Sequence, residues 1–124
     1  MLDMTGKTAI VTGGGGDIGR AAAVTLAKQG AKVLVVDVNQ DAIDLTLGAI
    51  RDAGGTGEGM LADVSQADQV EAYAQKAVDV FGGIDLFLNN AGIEGPAAPI
   101  PDYPEEDFDK VLSINVKGVW LGLK

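Results

Sequence analysis

The chain has 124 residues, 47% hydrophobic and 22% charged, a balance that suits one folded core and excludes the charge-dense, aliphatic-poor make-up of a disordered segment. Its 18 acidic and 9 basic side chains give a net charge of −9 with no basic cluster, so binding to nucleic acid or to an anionic membrane is not expected. There is no Cys and no His, which removes disulfides, thiolate chemistry and the commonest metal ligand; no metal site is expected.

The opening Met1-Leu2-Asp3-Met4-Thr5-Gly6-Lys7 has no basic stretch leading into a long apolar run, and no window approaches ~18 uninterrupted apolar residues. A cytoplasmic location is therefore expected. Residues 8–12 are apolar, rich in β-branched side chains, and stop at four consecutive glycines, the pattern of a buried parallel strand ending in a tight turn. Ile18, Ala22 and Leu26 then recur at helical spacing up to Gly30, which is placed as a C-terminal stop. Residues 32–38 are apolar without alternation, as in a strand covered on both faces. Asn39 is placed to cap a second helix lined by Ile43, Leu47 and Ile50 and ended by Gly54-Gly55.

A weaker strand is expected over 58–62. Ser65 is placed as the cap of a third helix, whose stripe is Val70, Tyr73, Ala74, Ala77 and Phe81 before Gly82-Gly83. Residues 84–88 make a fourth strand and the Pro-rich 95–104 a restricted loop, after which Glu105-Glu106-Asp107 opens a helix still running at Lys124. Alternating strands and helices call for a parallel sheet with right-handed crossovers and helices on both faces. The expected fold is thus α/β, a Rossmann-type doubly wound sheet in one domain over 1–124, cut off after the fourth strand and into the next helix. One flank of that strand would be an unpaired edge.

The chemistry concentrates at strand ends. Thr12-Gly13-Gly14-Gly15-Gly16-Asp17-Ile18-Gly19 lies between a strand and a helix, where unpaired N–H groups and a partial positive charge favour a pyrophosphate and glycines let the backbone approach it. Gly14, Gly16 and Gly19 also satisfy the dinucleotide G-x-G-x-x-G spacing. Asp37 ends the second strand about 20 residues beyond the glycines, where a dinucleotide site places an acid for the adenosine ribose hydroxyls. No Arg or Lys precedes Arg20 in the turn to receive the extra phosphate of NADP, so NAD is the expected cofactor. Asn115, an amide inside a helix, marks a place where the backbone is perturbed or a water is held.

With these residues in place the chain resembles the short-chain dehydrogenase/reductase family over essentially its whole length. Three motifs carry the likeness: Thr12 to Gly19 for Thr-Gly-x-x-x-Gly-x-Gly, Asn89-Asn90-Ala91-Gly92, and Asn115-Val116-Lys117-Gly118. The resemblance implies an oxidoreductase that interconverts a small alcohol and ketone by hydride transfer with NAD(H). It implies a cofactor site of Gly13, Gly15, Gly16, Asp17, Ile18, Gly19, Asp37, Asp63, Val64, Asn90, Ala91, Gly92 and Ile93. Within that set Asp63 would contact the adenine, Asn90 to Gly92 would line the adenosine side, and Ile93 would lie near the nicotinamide-side ribose. Asn115 becomes the first member of an Asn-Ser-Tyr-Lys catalytic tetrad, and the last helix a subunit interface of a homo-oligomer.

Two departures stand out. Asp17 occupies the second glycine of the first motif; it is expected to fold back as an N-cap, the alternative being a carboxylate that faces the phosphates. The Ser and the Tyr-x-x-x-Lys pair are missing, since Tyr73 and Tyr103 are followed four positions on by Ala77 and Asp107. The 124 residues alone are therefore expected to bind cofactor and not to catalyse. A non-catalytic nucleotide-binding or interaction module is the other reading these departures leave open.

Overall fold

A computed structural model of the chain describes residues 2–124. Four strands, β1 (Thr8–Thr12), β2 (Lys32–Asp37), β3 (Thr56–Leu61) and β4 (Leu86–Leu88), form one parallel sheet in the order β3-β2-β1-β4. Three helices make the crossovers: α1 (Asp17–Lys28), α2 (Gln40–Asp52) and α3 (Ala67–Phe81). After β4 come a turn of 3-10 helix (Ile100–Asp102), α4 (Glu105–Leu112), a π-helical stretch (Ser113–Lys117) and α5 (Gly118–Leu123), which together form the long final helix.

The sheet is wound on both faces, as the unalternating strands require. Ala9, Val11, Val33 and Val35 point to one side, where they pack with Ala23 and Ala27 of α1 and Ile43 and Ile50 of α2. Ile10, Leu34 and Val36 point to the other, against Val70, Tyr73 and Ala77 of α3, with Ile114 and Leu121 of the final helix closing the layer. β4 is an edge, paired only with β1 among the described residues.

Three local expectations need correction. The fully buried face of α1 is Gly19, Ala23 and Ala27; of the expected Ile18, Ala22 and Leu26, Leu26 packs partly buried against the core, whereas Ile18 is 76% exposed. Small side chains face the sheet because α1 packs closely on β1 and β2, and size outweighs hydrophobicity at such an approach. Ser65 does not cap α3. Its N–H and hydroxyl both donate to Asp63 Oδ1, at 2.9 and 2.7 Å, which draws Ser65 into the preceding turn and leaves Gln66 at the cap position. The fourth strand begins at Leu86 rather than residue 84: Asp85 N still donates to Thr8 O at 2.9 Å, but Thr8 N is taken by the Asp85 carboxylate, at 2.8 Å, in place of a backbone carbonyl.

Candidate cofactor-binding site

A cleft of about 230 Å³ opens at the carboxyl ends of the strands. Val36, Asp37 and Val38 line it from the end of β2, Ala62, Asp63 and Val64 from beyond β3, and Ala91, Gly92 and Ile93 from beyond β4, with Gly13 at its base. Here β1 is flanked by β2 on one side and β4 on the other, so successive connections diverge and leave a crevice, the usual ligand position of an open parallel sheet.

At Gly13, Gly14, Gly15 and Gly19 the glycine turn has no room for a side chain. Gly13 has φ +62°, and a Cβ on it would stand 2.9 Å from Ala91 Cα. A Cβ on Gly19 would overlap the Gly13 carbonyl, so only glycine lets α1 start this close beneath the turn. Gly15 and Gly19 are buried under the surface, whereas Gly16, Asp17 and Ile18 are exposed. None of these five lines the cleft itself. They form the adjoining N-terminus of α1, whose first N–H groups have no partner within the helix.

Asp17 does not cap α1. Gly16 holds that position, no side chain bonds the free N–H groups, and Asp17 is the first helical residue. Its carboxylate is fully exposed, 3.6 Å from Arg20 Nη1. Because Asp17 already has helical backbone angles, its short side chain points away from the N–H groups that a cap would bridge.

Asp37 is held by the backbone on both oxygens. Oδ2 accepts from Gly15 N at 2.9 Å, and Oδ1 accepts from Val38 N at 2.8 Å and Asn39 N at 3.2 Å. That leaves acceptor capacity on a rigidly oriented carboxylate at the cleft wall. Asp63 is fixed in a similar way: Oδ1 takes the Ser65 bonds, and Asp63 N donates to Gln69 Oε1 at 2.7 Å.

The Asn-Asn-Ala-Gly segment is stitched to the glycine turn. Thr12 Oγ1 accepts from Asn90 N at 3.0 Å and from Ala91 N at 3.1 Å, and Asn90 Nδ2 donates to Thr12 O at 3.1 Å. Asn90 thus spends its amide on the scaffold, while Ala91 and Gly92 face the cleft. Asn115 lies in the π-helical stretch and exchanges two 2.8 Å bonds with the Ile93 backbone.

Neither tyrosine belongs to this constellation. Tyr73 is buried in the core with its ring 6.1 Å from that of Phe87, its hydroxyl has no hydrogen-bond partner among the described residues, and burial raises its pKa. Tyr103 packs against Gly95 in the Pro-rich loop. No group of three or more acidic side chains among the described residues could hold a metal ion, and no helix there is long and apolar enough to cross a membrane.

Fold and cleft together define a Rossmann-type α/β domain with a crevice at the carboxyl ends of its strands. Residues 7–124 match the family model for short chain dehydrogenase, and the chain belongs to the short-chain dehydrogenase/reductase family. It is 44% identical over 122 residues to levodione reductase of Leifsonia aquatica, covering 97% of this chain and 46% of that protein. A crystal structure of levodione reductase superposes with a TM-score of 0.94 at 43% identity, over 97% of this chain and 47% of that one. That of NAD+-bound xylitol dehydrogenase superposes at 0.93 and 38% identity, over 97% and 46%. The chain spans about half the length of the relatives it matches.

Proposed function

We propose that residues 1–124 are one NAD-binding domain of a dehydrogenase/reductase that interconverts a secondary alcohol and a ketone. The observation that carries this reading is the Asp37 carboxylate, locked by three backbone N–H groups at the wall of a cleft that meets the glycine turn. Asp37 would take the adenosine ribose hydroxyls, Asp63 and Val64 the adenine and the backbone of Asn90 to Gly92 the rest of the adenosine side, with Ile93 near the nicotinamide-side ribose. Gly13, Gly15, Gly16 and Gly19 shape the turn so that the first N–H groups of α1, from Asp17 and Ile18 onward, meet the pyrophosphate. Gly16, exposed and with only Gly13 O near the place of a Cβ, leaves the outer face of the turn open to such an approach.

Bound NAD supplies a two-electron hydride acceptor or donor. Asn115 would orient the segment through Ile93 and hold a water with the donor and acceptor capacity its amide retains. The hydroxyl proton needs a base, and neither tyrosine in these residues has a Lys at the required spacing. Chemistry is therefore assigned to the whole protein, and the 124 residues alone are expected not to oxidise alcohols. Levodione reductase and xylitol dehydrogenase, by their names, act on a ketone and a polyol, which supports this substrate class.

We further propose a cytoplasmic protein that forms a homo-oligomer through its final helix. Phe108, Leu112, Val116, Trp120 and Leu123 make an exposed apolar stripe along it, and such a stripe favours a protein partner. Isothermal calorimetry of the chain with NAD tests the central assignment; no binding at millimolar NAD would overturn it.

A further inference from the structure

Thr46, on α2, is fully buried and lies 32 residues from the turn in sequence, yet its hydroxyl donates to Gly14 O at 2.8 Å. Thr46 Oγ1, which also lies 3.2 Å from Ala42 O of its own helix, accepts from Arg20 Nε at 3.2 Å, and Arg20 Nη2 donates to Gly15 O at 2.7 Å. Two successive carbonyls of the glycine turn are thus held by one pair of side chains from two helices.

The opposite ends of the same peptide units are also engaged. Gly14 C=O and Gly15 N–H belong to one planar unit, and Gly15 N donates to Asp37 Oδ2. Gly15 C=O and Gly16 N–H belong to the next, and Gly16 N donates to Gly13 O at 3.2 Å. Each plane is pinned at both ends, and the first links the Thr46 hydroxyl directly to the carboxylate assigned to the ribose. Without Thr46 and Arg20, glycine peptides have little intrinsic resistance to rotation.

We propose that Arg20 and Thr46 are positioning residues for the dinucleotide: they set both peptide planes of the glycine turn and, through the first, the orientation of Asp37. This rests on the cofactor site proposed above. It places the determinant of ribose recognition partly on α2, a helix that lines none of the cleft.

The test uses the full chain with NAD and NADP as probes in calorimetry. Thr46→Val keeps the shape and removes the hydroxyl that holds Gly14 O and Arg20 Nε; it should weaken NAD about tenfold and narrow the preference for NAD over NADP. Thr46→Ser should restore both to within about twofold, since the hydroxyl returns. Arg20→Lys keeps the charge but loses the two-pronged geometry and should shift both readouts in the same direction, which covers the case of Thr46→Val failing to fold. Ile50→Val, a core trim on the same helix, is the control for lost stability. The proposal is overturned if Thr46→Val binds NAD as tightly as the parent, weakens it no more than an Ile50→Val of equal thermal stability, or leaves the NAD to NADP ratio unchanged. Failure of the parent chain to bind either cofactor overturns the site itself, a result recognisable because the variants then play no part in it.

Discussion

Asn115 and the Ile93 backbone exchange two hydrogen bonds, Oδ1 accepting from Ile93 N and Nδ2 donating to Ile93 O, both at 2.8 Å. The pair works like a rung of a β-ladder made by a side chain, and it ties the final helix to the segment leaving β4. A π-helical stretch surrounds Asn115; the wider turn shifts the side-chain register there, as such bulges do at functional sites. Asn115→Ala should leave both Ile93 groups without a partner, at a cost of about 1–3 kcal/mol, and speed hydrogen exchange at the Ile93 amide. An unchanged melting temperature together with unchanged exchange would show that the bonds contribute nothing.

Asp37 governs the expected choice between NAD and NADP. A 2'-phosphate ~4 Å from a carboxylate meets about 4 kcal/mol of repulsion per charge pair at an effective dielectric of ~20. Solvent lowers this to roughly 1–3 kcal/mol, about ten- to hundredfold in affinity. Asp37→Ala should erase most of that ratio, and titrations with the two cofactors read it directly. A parent chain with equal affinities would refute the assignment.

Asp17 should matter little to folding and slightly to binding. Its carboxylate is fully exposed and caps nothing, so Asp17→Gly should leave the melting temperature nearly unchanged. Removing a solvated charge near the proposed phosphate position should tighten NAD by less than about threefold, with a gain that vanishes at high salt. A loss of stability as large as that of a removed cap would restore the capping role.

Much of this arrangement is legible in the residues because strand burial and turn chemistry are local. The unalternating β1 and β2 announce helices on both faces, and Asn115 announces a perturbed helix by being an amide where an aliphatic residue would be cheaper. What stays hidden is set by tertiary distance. The face of α1 depends on how closely it approaches the sheet, which favours Ala23 and Ala27 over the more hydrophobic Ile18. β3 reads as weak because Gly57 and Gly59 stand where Leu47 and Ile43 of α2 come within contact distance, a demand invisible from the strand itself. Arg20 and Thr46 carry no motif; only the fold brings them to the turn.

Tyr73 gives a test at alkaline pH. Its buried hydroxyl has no partner among the described residues and its pKa is raised by desolvation, so the fold favours the neutral form. In the unfolded chain the phenol ionises near the usual value of about 10; stability is intact below that pH and falls as pH rises through the raised folded value. Tyr73→Phe should flatten this alkaline loss and cost less than about 1 kcal/mol at neutral pH, because no hydrogen bond disappears. A larger neutral-pH cost in chemical denaturation would mean the hydroxyl has a partner after all.

The final helix should drive self-association. Phe108, Leu112, Val116, Trp120 and Leu123 recur every three or four residues and remain exposed, and Leu112, Val116 and Trp120 line one shallow apolar depression on the helix surface. Val111 and Val119, two other apolar positions of this helix, are half-buried and contribute less. A few hundred Å² of such surface, at ~25 cal/mol per Å², offers several kcal/mol of association free energy before ordering costs. The edge of β4, unpaired among the described residues, is a competing site, since open N–H and C=O groups can accept another strand. Val116→Glu and Trp120→Glu together discriminate between the two, because they place charge on the helix face and leave β4 untouched. Light scattering should report a dimer or larger species for the parent chain and a monomer for the double variant. Persistence of the parent's size in the variant would move the interface to the sheet edge, and a monomeric parent would refute association through either surface.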